Sequence, residues 1–291
     1  MHPYNYIKKC LLYNITPKKT NNDNDNTKNT INADICDNLD KELRQPSSPD
    51  ISAKNEQENV STIPMISNNE QPKELMIGSD IAPEKIIEMF PKSDETIDKI
   101  RITDIGLYSI TKKNEAFFIT NLITKYFGES QITITDSTAC CGGNTISFLL
   151  HQQIEKVNSV EINDLHFEIL KNNVELYKNH YKAELIKSNY LDVAHNLQQD
   201  VIFYDLPWGG KNYIEKDEIT LGLYTNNHFF ISLSSIVNQM KDKTKLQVLK
   251  IPLNFGFTKF LREIEYTKIK IHKIYNKYTK RLCYFILILV F

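Results

Sequence analysis

Val201-Ile202-Phe203-Tyr204-Asp205-Leu206-Pro207-Trp208-Gly209-Gly210 is the stretch on which the reading of this chain turns. Four apolar residues run into an acid, a proline and the chain's single tryptophan, and two glycines follow. Such a run reads as a buried parallel strand that delivers polar atoms and a flat ring to the edge of a sheet, where open α/β folds bind ligands. The Asp205 carboxylate and the Leu206 carbonyl are suited to hold an exocyclic amine, and Trp208 to stack on the ring that carries it. Gly209 and Gly210 permit a sharp turn beside that ring. The arrangement points to methylation of an amine on a base.

Outward from this stretch, strands and helices alternate. Residues 132–136, 157–162, 184–187, 201–204 and 246–251 read as strands, and 144–151, 164–181 and 228–240 as helices. Upstream, 83–90 reads as a short helix with Pro83 in its first turn. Residues 114–127 read as a helix with Phe118, Leu122, Ile123 and Tyr126 on one face. Two β-like runs, 266–275 and 281–291, close the chain as an antiparallel hairpin. The expected fold is α/β, a mostly parallel seven-stranded sheet with helices on both faces.

Residues 1–75 differ in kind. Asn, Asp, Lys, Ser and Gln dominate, as in Asn21-Asn22-Asp23-Asn24-Asp25-Asn26, and no apolar period persists. They read as a disordered polar tail, either recruiting protein partners or without a specific role. Residues 76–130 then form an N-terminal helical extension contributing to the substrate site, and 131–291 the core; a monomer is expected. The formal net charge of −1 offers no global basic field, so any nucleic-acid site is local. The five cysteines form neither a C-x-x-C pair nor a disulfide framework, which implies a reducing compartment, nucleus or cytoplasm, and not secretion. Residues 1–19 lack the apolar core of a signal peptide. The apolar run 283–291 falls short of the roughly 20 residues that span a bilayer, so no membrane partner is expected.

Asp136-Ser137-Thr138-Ala139-Cys140-Cys141-Gly142-Gly143-Asn144-Thr145 follows the first strong strand and opens a helix. Its glycines permit close backbone approach to a ligand, but two glycines are not the full dinucleotide fingerprint. Glu161 ends the next strand 18 residues past Gly143, where an acid suits a ribose diol. Asp136 at the loop's start repels a pyrophosphate and suits the amino group of S-adenosylmethionine, which argues against NAD. Asn189 reads either as an adenine contact or as a solvated turn residue. Cys140 and Cys141 have no histidine or second cysteine pair at ligand spacing, so they read as buried small residues and no metal is expected.

Together these residues resemble the Rossmann-like class I methyltransferases, and within them the trimethylguanosine synthase family, which methylates the N2 amine of the 7-methylguanosine RNA cap. The family's Gly-Gly-Asn-Thr loop is similar to Asp136 through Thr145, its cofactor acid to Glu161 and its Asn-Asn pair to Asn172-Asn173. Its Pro-Trp-Gly-Gly element is similar to Asp205 through Gly210 with Tyr213 following, and its aromatic-Ser-hydrophobic-Thr element to Tyr108-Ser109-Ile110-Thr111. The resemblance covers about residues 85 to 291. It implies S-adenosylmethionine held by Thr111, Asp136, Ala139, Gly142, Asn144, Thr145, Glu161, Asn189 and Asp205. It implies capped RNA held by Ser109, Asn173, Trp208, Lys211 and Tyr213, with Asp205, Leu206, Pro207 and Trp208 at the reacting amine. Four positions depart from the pattern. Cys140 replaces the loop's first glycine, Leu206 a proline, Asn189 an acid that contacts adenine, and Leu253 an arginine that contacts cap phosphate.

A 7-methylated guanine is cationic, so stacking on Trp208 gains roughly 0.5–2 kcal/mol of cation–π attraction. Transfer is then an in-line displacement governed by positioning, with Asp205 stabilising the charge that grows on nitrogen. Lys268, Lys270 and His272 make a basic face on one strand, read either as an RNA track or as edge lysines that block aggregation. Two other functions remain open: N2-guanine or N6-adenine methylation of other RNA or DNA, and a non-catalytic cap- or RNA-binding module.

Overall fold

The computed structural model describes residues 71–92, 97–276 and 278–291. The polar tail expected over residues 1–75 lies outside the described residues as far as residue 70. Strands β1 (Glu74–Leu75) and β2 (Ile102–Thr103) pair antiparallel, with helix α1 (Pro83–Met89) between them. Helices α2 (Asp104–Ser109) and α3 (Lys113–Thr124) lead into the main sheet.

That sheet alternates with helices in the expected way: β3 (Ile132–Asp136), α4 (Gly143–Leu149), β4 (Ile154–Glu161), α5 (Asp164–Glu175), β5 (Ala183–Lys187), α6 (Tyr190–Val193) and β6 (Val201–Tyr204). A small hairpin, β7 (Gly222–Tyr224) and β8 (Phe230–Ser232), precedes α7 (Leu233–Met240) and β9 (Leu246–Pro252). Helix α8 (Phe257–Glu263) and the hairpin β10 (Lys268–Tyr275) and β11 (Leu282–Val290) follow. The seven strands lie in the order β10-β11-β9-β6-β3-β4-β5. From β9 to β5 all pairs are parallel, and β11 runs against both of its neighbours.

The strands that read as continuous apolar runs are the inner ones. Every residue of β6 and of β9 is buried, as a strand covered on both faces requires. The edge strands β5 and β10 mix partly exposed positions. The chain steps from β3 outward to β4 and β5, then returns to β6 on the other side of β3. Right-handed crossovers therefore put α4 and α5 on one face of the sheet and α7 on the other. The reversal opens a crevice at the carboxyl ends of β3 and β6, the switch point where such sheets bind ligands.

Three sequence expectations need correction. In α3 the buried stripe is Ala116, Ile119, Thr120 and Ile123, while Phe118 is exposed. Small Ala116 and Thr120 let the helix pack closely on α4, where the Thr120 and Ser147 hydroxyls meet at 2.8 Å. The helix expected over 228–240 starts only at Leu233, because His228 takes a left-handed φ of 63° in the β7–β8 turn and the Ser232 hydroxyl caps α7. The helix expected over 164–181 stops at Glu175, and a 3-10 turn follows. Among the described residues, no helix is long and apolar enough to cross a membrane.

Asn173 of α5 shows how the upstream segment is attached. Fully buried, it accepts from the Arg101 amide (2.8 Å) and donates to the carbonyls of Arg101 (2.8 Å) and Cys141 (2.9 Å). One side chain thus ties the start of β2 to the loop before α4. Asn173→Ala leaves three backbone groups without their partner and is expected to cost about 2 kcal/mol, read as a lower urea midpoint at unchanged slope.

Candidate active site

Three acids converge on the crevice from three adjacent strands. Asp136 ends β3, Glu161 ends β4 and Asp205 follows β6. Asp136 is buried and accepts from the Thr145 hydroxyl at 2.8 Å. Burial pushes its carboxyl up to about 7 against that hydrogen bond, and the charges of Asp205 and Glu161 add to the push. Glu161 is also buried and raised by burial. Its Oε2 accepts from the Cys140 amide (2.8 Å) and its Oε1 from the Asn163 amide (2.7 Å). A crevice ringed by carboxylates favours a cationic ligand over a phosphate.

The loop between β3 and α4 is shaped by two glycines with different reasons. Gly142 has a φ of 93°, in the left-handed region. Gly143 does not, but a Cβ there would stand 2.5 Å from Ile110 Cγ1 and 3.3 Å from the Thr111 carbonyl. The second glycine is therefore what lets the segment before α3 lie against the loop. Cys140 carries a φ of 47°, a strain of roughly 1–2 kcal/mol for a side chain that is not glycine. This is the position where the family pattern has its first glycine.

On the β6 side, Asp205 is held by a residue the sequence reading did not single out. Lys250, buried in β9, donates from Nζ to Asp205 Oδ2 and to Thr111 Oγ1, both at 2.8 Å. The strand register explains the meeting, since Tyr204 pairs with Leu249 and the next residue on each strand is Asp205 and Lys250. Thr111 adds its own hydroxyl to Oδ2 (3.2 Å) and accepts from Asn144 Nδ2 (3.1 Å). The same ammonium lies 5.3 Å from the Trp208 ring and 5.1 Å from the Tyr284 ring, whose hydroxyl donates to Glu115 at 2.7 Å. Burial and the Glu115 charge push the Tyr284 phenol upward. A lysine in an apolar strand looks like a misplaced surface residue; only register and cross-strand aromatics reveal its partner.

Trp208 is half-buried and packs edge-on to Tyr213 at 5.1 Å, with Gly209 and Gly210 both at positive φ behind it. Oδ1 of Asp205 and the Leu206 carbonyl have no partner among the described residues, while Pro207 is exposed. Thr111, Asp136, Gly142, Asn144, Thr145, Glu161 and Asp205 are thus gathered around one loop, and Ala139 is fixed beside them by its amide on the Val160 carbonyl (2.8 Å). Asn189 is buried: it caps α6 and donates to the Tyr224 carbonyl (2.8 Å), so it is not a solvated turn residue. Lys211 sits over the Tyr108 ring at 4.9 Å. Ser109 is exposed and spends its hydroxyl on the Ile105 carbonyl. Asn173 gives its amide to backbone, as above, and in this arrangement acts as a tie and not as a base contact. Leu253 is exposed and apolar, and supplies no cation.

The crevice fits S-adenosylmethionine by two observations. Asp136 Oδ1 and Asn144 Oδ1 are buried without hydrogen-bond partners among the described residues, and the surrounding carboxylates match a ligand that carries an ammonium and a sulfonium. A seven-stranded sheet in which antiparallel β11 is inserted between β10 and the five parallel strands, with acids at the ends of β3 and β4, defines the class I methyltransferase fold, whose methyl donor is S-adenosylmethionine. A family model described as RNA cap guanine-N2 methyltransferase matches residues 131–288, more than half of the chain, and the chain belongs to that family.

An uncharacterized protein of Acanthamoeba polyphaga mimivirus, L320, is 27% identical over 202 residues, which is 61% of this chain and 77% of that one. Among solved structures, the M. jannaschii tRNA m1G37 methyltransferase matches with 14% identity over 68% of this chain and 53% of its own, at a TM-score of 0.40. A precorrin-6y C5,15-methyltransferase from Geobacter metallireducens matches with 15% identity over 63% of this chain and 91% of its own, at 0.43. This chain spans about half the length of the first of these structures. Neither superposition is close, and the class rests on the strand order and the family match.

Two outcomes follow from the buried charges. Lys250→Met strands Asp205 beside two aromatic rings and is expected to cost about 3 kcal/mol; adding Asp205→Asn restores part of it, which a double-mutant cycle in urea measures. For Asp136 the folded value lies above the ordinary 3.8, so the folded state keeps a proton that the unfolded chain has lost. That contribution is full below pH 3.8 and is lost as pH rises through about 7, roughly 4 kcal/mol in all. Asp136→Asn is expected to flatten the fall in stability of the cofactor-free protein across that window.

Proposed function

We propose that this chain transfers a methyl group to the exocyclic N2 amine of a 7-methylguanosine RNA cap. The observation that carries the reading is the pairing of Trp208 with Asp205 at the switch point: a ring for a cationic base beside a carboxylate oxygen and a carbonyl that have no partner among the described residues. The family match over residues 131–288 supports it.

S-adenosylmethionine supplies the electrophilic methyl group when bound. Asp136 and Glu161 face its ammonium and ribose, and Thr111, Ala139, Gly142, Asn144, Thr145 and Asn189 shape the remaining wall. Asp205 Oδ1 and the Leu206 carbonyl accept the two N–H groups of the guanine amine and fix its lone pair toward the methyl group. Charge that grows on nitrogen lies against Asp205, and the proton departs after transfer without a strong base. Lys250 does not repel the cationic base, because Asp205 neutralises it. Pro207 and the glycines fix the pitch of Trp208, Tyr213 flanks it, and Lys211 lies near enough to serve a cap phosphate. Residues 76–130 contribute Thr111 to the wall and Ser109 to the rim, as an extension added to the 131–291 core. The cysteine usage supports action in a reducing compartment, nucleus or cytoplasm.

The test is methyl transfer from labelled S-adenosylmethionine to cap analogues with and without the 7-methyl group, followed by mapping of the labelled atom. Label on N2 of the 7-methylated analogue alone is the expected result. Trp208→Ala is expected to reduce that preference roughly tenfold, and Asp205→Ala to abolish most transfer. Label on an uncapped guanine or on adenine N6 instead overturns the cap reading.

A further inference from the structure

Sequence spacing gives Cys140 and Cys141 no third ligand, but the fold does. His166, in the first turn of α5, brings its ring to the two thiols of the β3–α4 loop. Cys140 Sγ lies 3.9 Å from Cys141 Sγ and 3.9 Å from His166 Nδ1, and the three donor atoms all fall within 4.8 Å of one another. Two sulfurs on a tetrahedral ion, each about 2.3 Å from it, stand about 3.8 Å apart. The sulfur–sulfur edge therefore already has the length found in a soft-metal site, and the imidazole lies close enough to complete it with a small side-chain shift.

The imidazole is also oriented as a ligand. His166 Nε2 lies 3.0 Å from Thr103 Oγ1, and that hydroxyl accepts from the Gly106 amide at 2.9 Å. With Nε2–H donating in the shorter bond, the hydroxyl's own hydrogen has Cys141 Sγ within reach at 3.9 Å. Nδ1 then presents its lone pair to the thiols, with the second ring nitrogen anchored on an oxygen as metal-binding histidines have it. A disulfide fits less well. Adjacent Cα atoms are about 3.8 Å apart, below the roughly 4.4–6.8 Å that disulfides span, and both cysteines are free thiols here.

We propose that Cys140, Cys141 and His166 bind one soft divalent cation of the Zn²⁺ type through two thiolates and one imidazole nitrogen. Each thiol gives its proton to solvent as its sulfur bonds the ion, so no oxidant or reductant takes part. Cys140 is only partly buried, which leaves the fourth position on the solvent side. The ion braces the loop against α5 next to the Cys140 amide that holds Glu161. The site does not depend on which base the crevice accepts.

The experiment is a Co²⁺ titration of the reduced, metal-free full chain, repeated in a Cys10→Ser/Cys36→Ser/Cys283→Ser background, with Zn²⁺ displacement at the end. The expected result is one Co²⁺ per chain with a thiolate-to-cobalt charge-transfer band that Zn²⁺ abolishes, in both backgrounds. Affinity is expected to fall at least tenfold in His166→Ala and at least a hundredfold in Cys140→Gly. The glycine variant removes the thiol and relieves the positive φ at once, so its lost band reports a lost ligand and not unfolding. Absence of the band in the parent chain, or a band unchanged by either substitution, overturns the site.

Discussion

The ion pair between Lys250 and Asp205 is the interaction on which the site depends. It joins the two strands on the far side of the switch point and reaches Thr111 in the segment before α3. Both side chains are largely withdrawn from water, so neither charge is tolerable there without the other. The pair fixes one carboxylate oxygen and leaves the second for a ligand. It also sets the electrostatics around Trp208, since a buried cation beside that ring without a counter-charge would oppose any cationic base.

The opposite wall of the crevice is built on the reverse principle. Asp136 and Glu161 are gathered there, and burial raises both. Such a cluster stores electrostatic repulsion that a ligand bearing positive charge relieves. Glycines at 142 and 143 bring the backbone close enough for that relief, one by its left-handed φ and the other by the room it leaves for Ile110. The strained φ of Cys140 shows that the loop's conformation is imposed by its surroundings, because the residue itself would prefer another.

Much of this was legible in the chain. A strand covered on both faces is apolar except where a polar group finds a partner, so β6 stands out without any neighbour being known, and β3 and β9 do so less sharply because they carry Thr133, Thr135, Gln247 and Lys250. The acids and glycines that end or follow those strands stand out for the same reason, because a polar residue after a buried run marks the sheet's edge. Phe118 misled because hydrophobicity was read as burial, whereas close helix packing selected Ala116 and Thr120. The 228–240 segment misled because a capping serine and a turn inside an amphipathic stretch leave the apolar pattern unchanged.

The sequence by itself determined the class of fold, the parallel core and the two ligand-facing segments, since each is encoded in local patterns of burial and turn chemistry. Tertiary structure alone decided the partners. Lys250 meets Asp205 across 45 residues, His166 meets Cys140 across 26, and Asn173 meets Arg101 across 72. These meetings follow from strand register and from where a helix starts relative to a neighbouring loop. No local period carries that information, because it is fixed only when the sheet closes and excludes water from the charges it brings together.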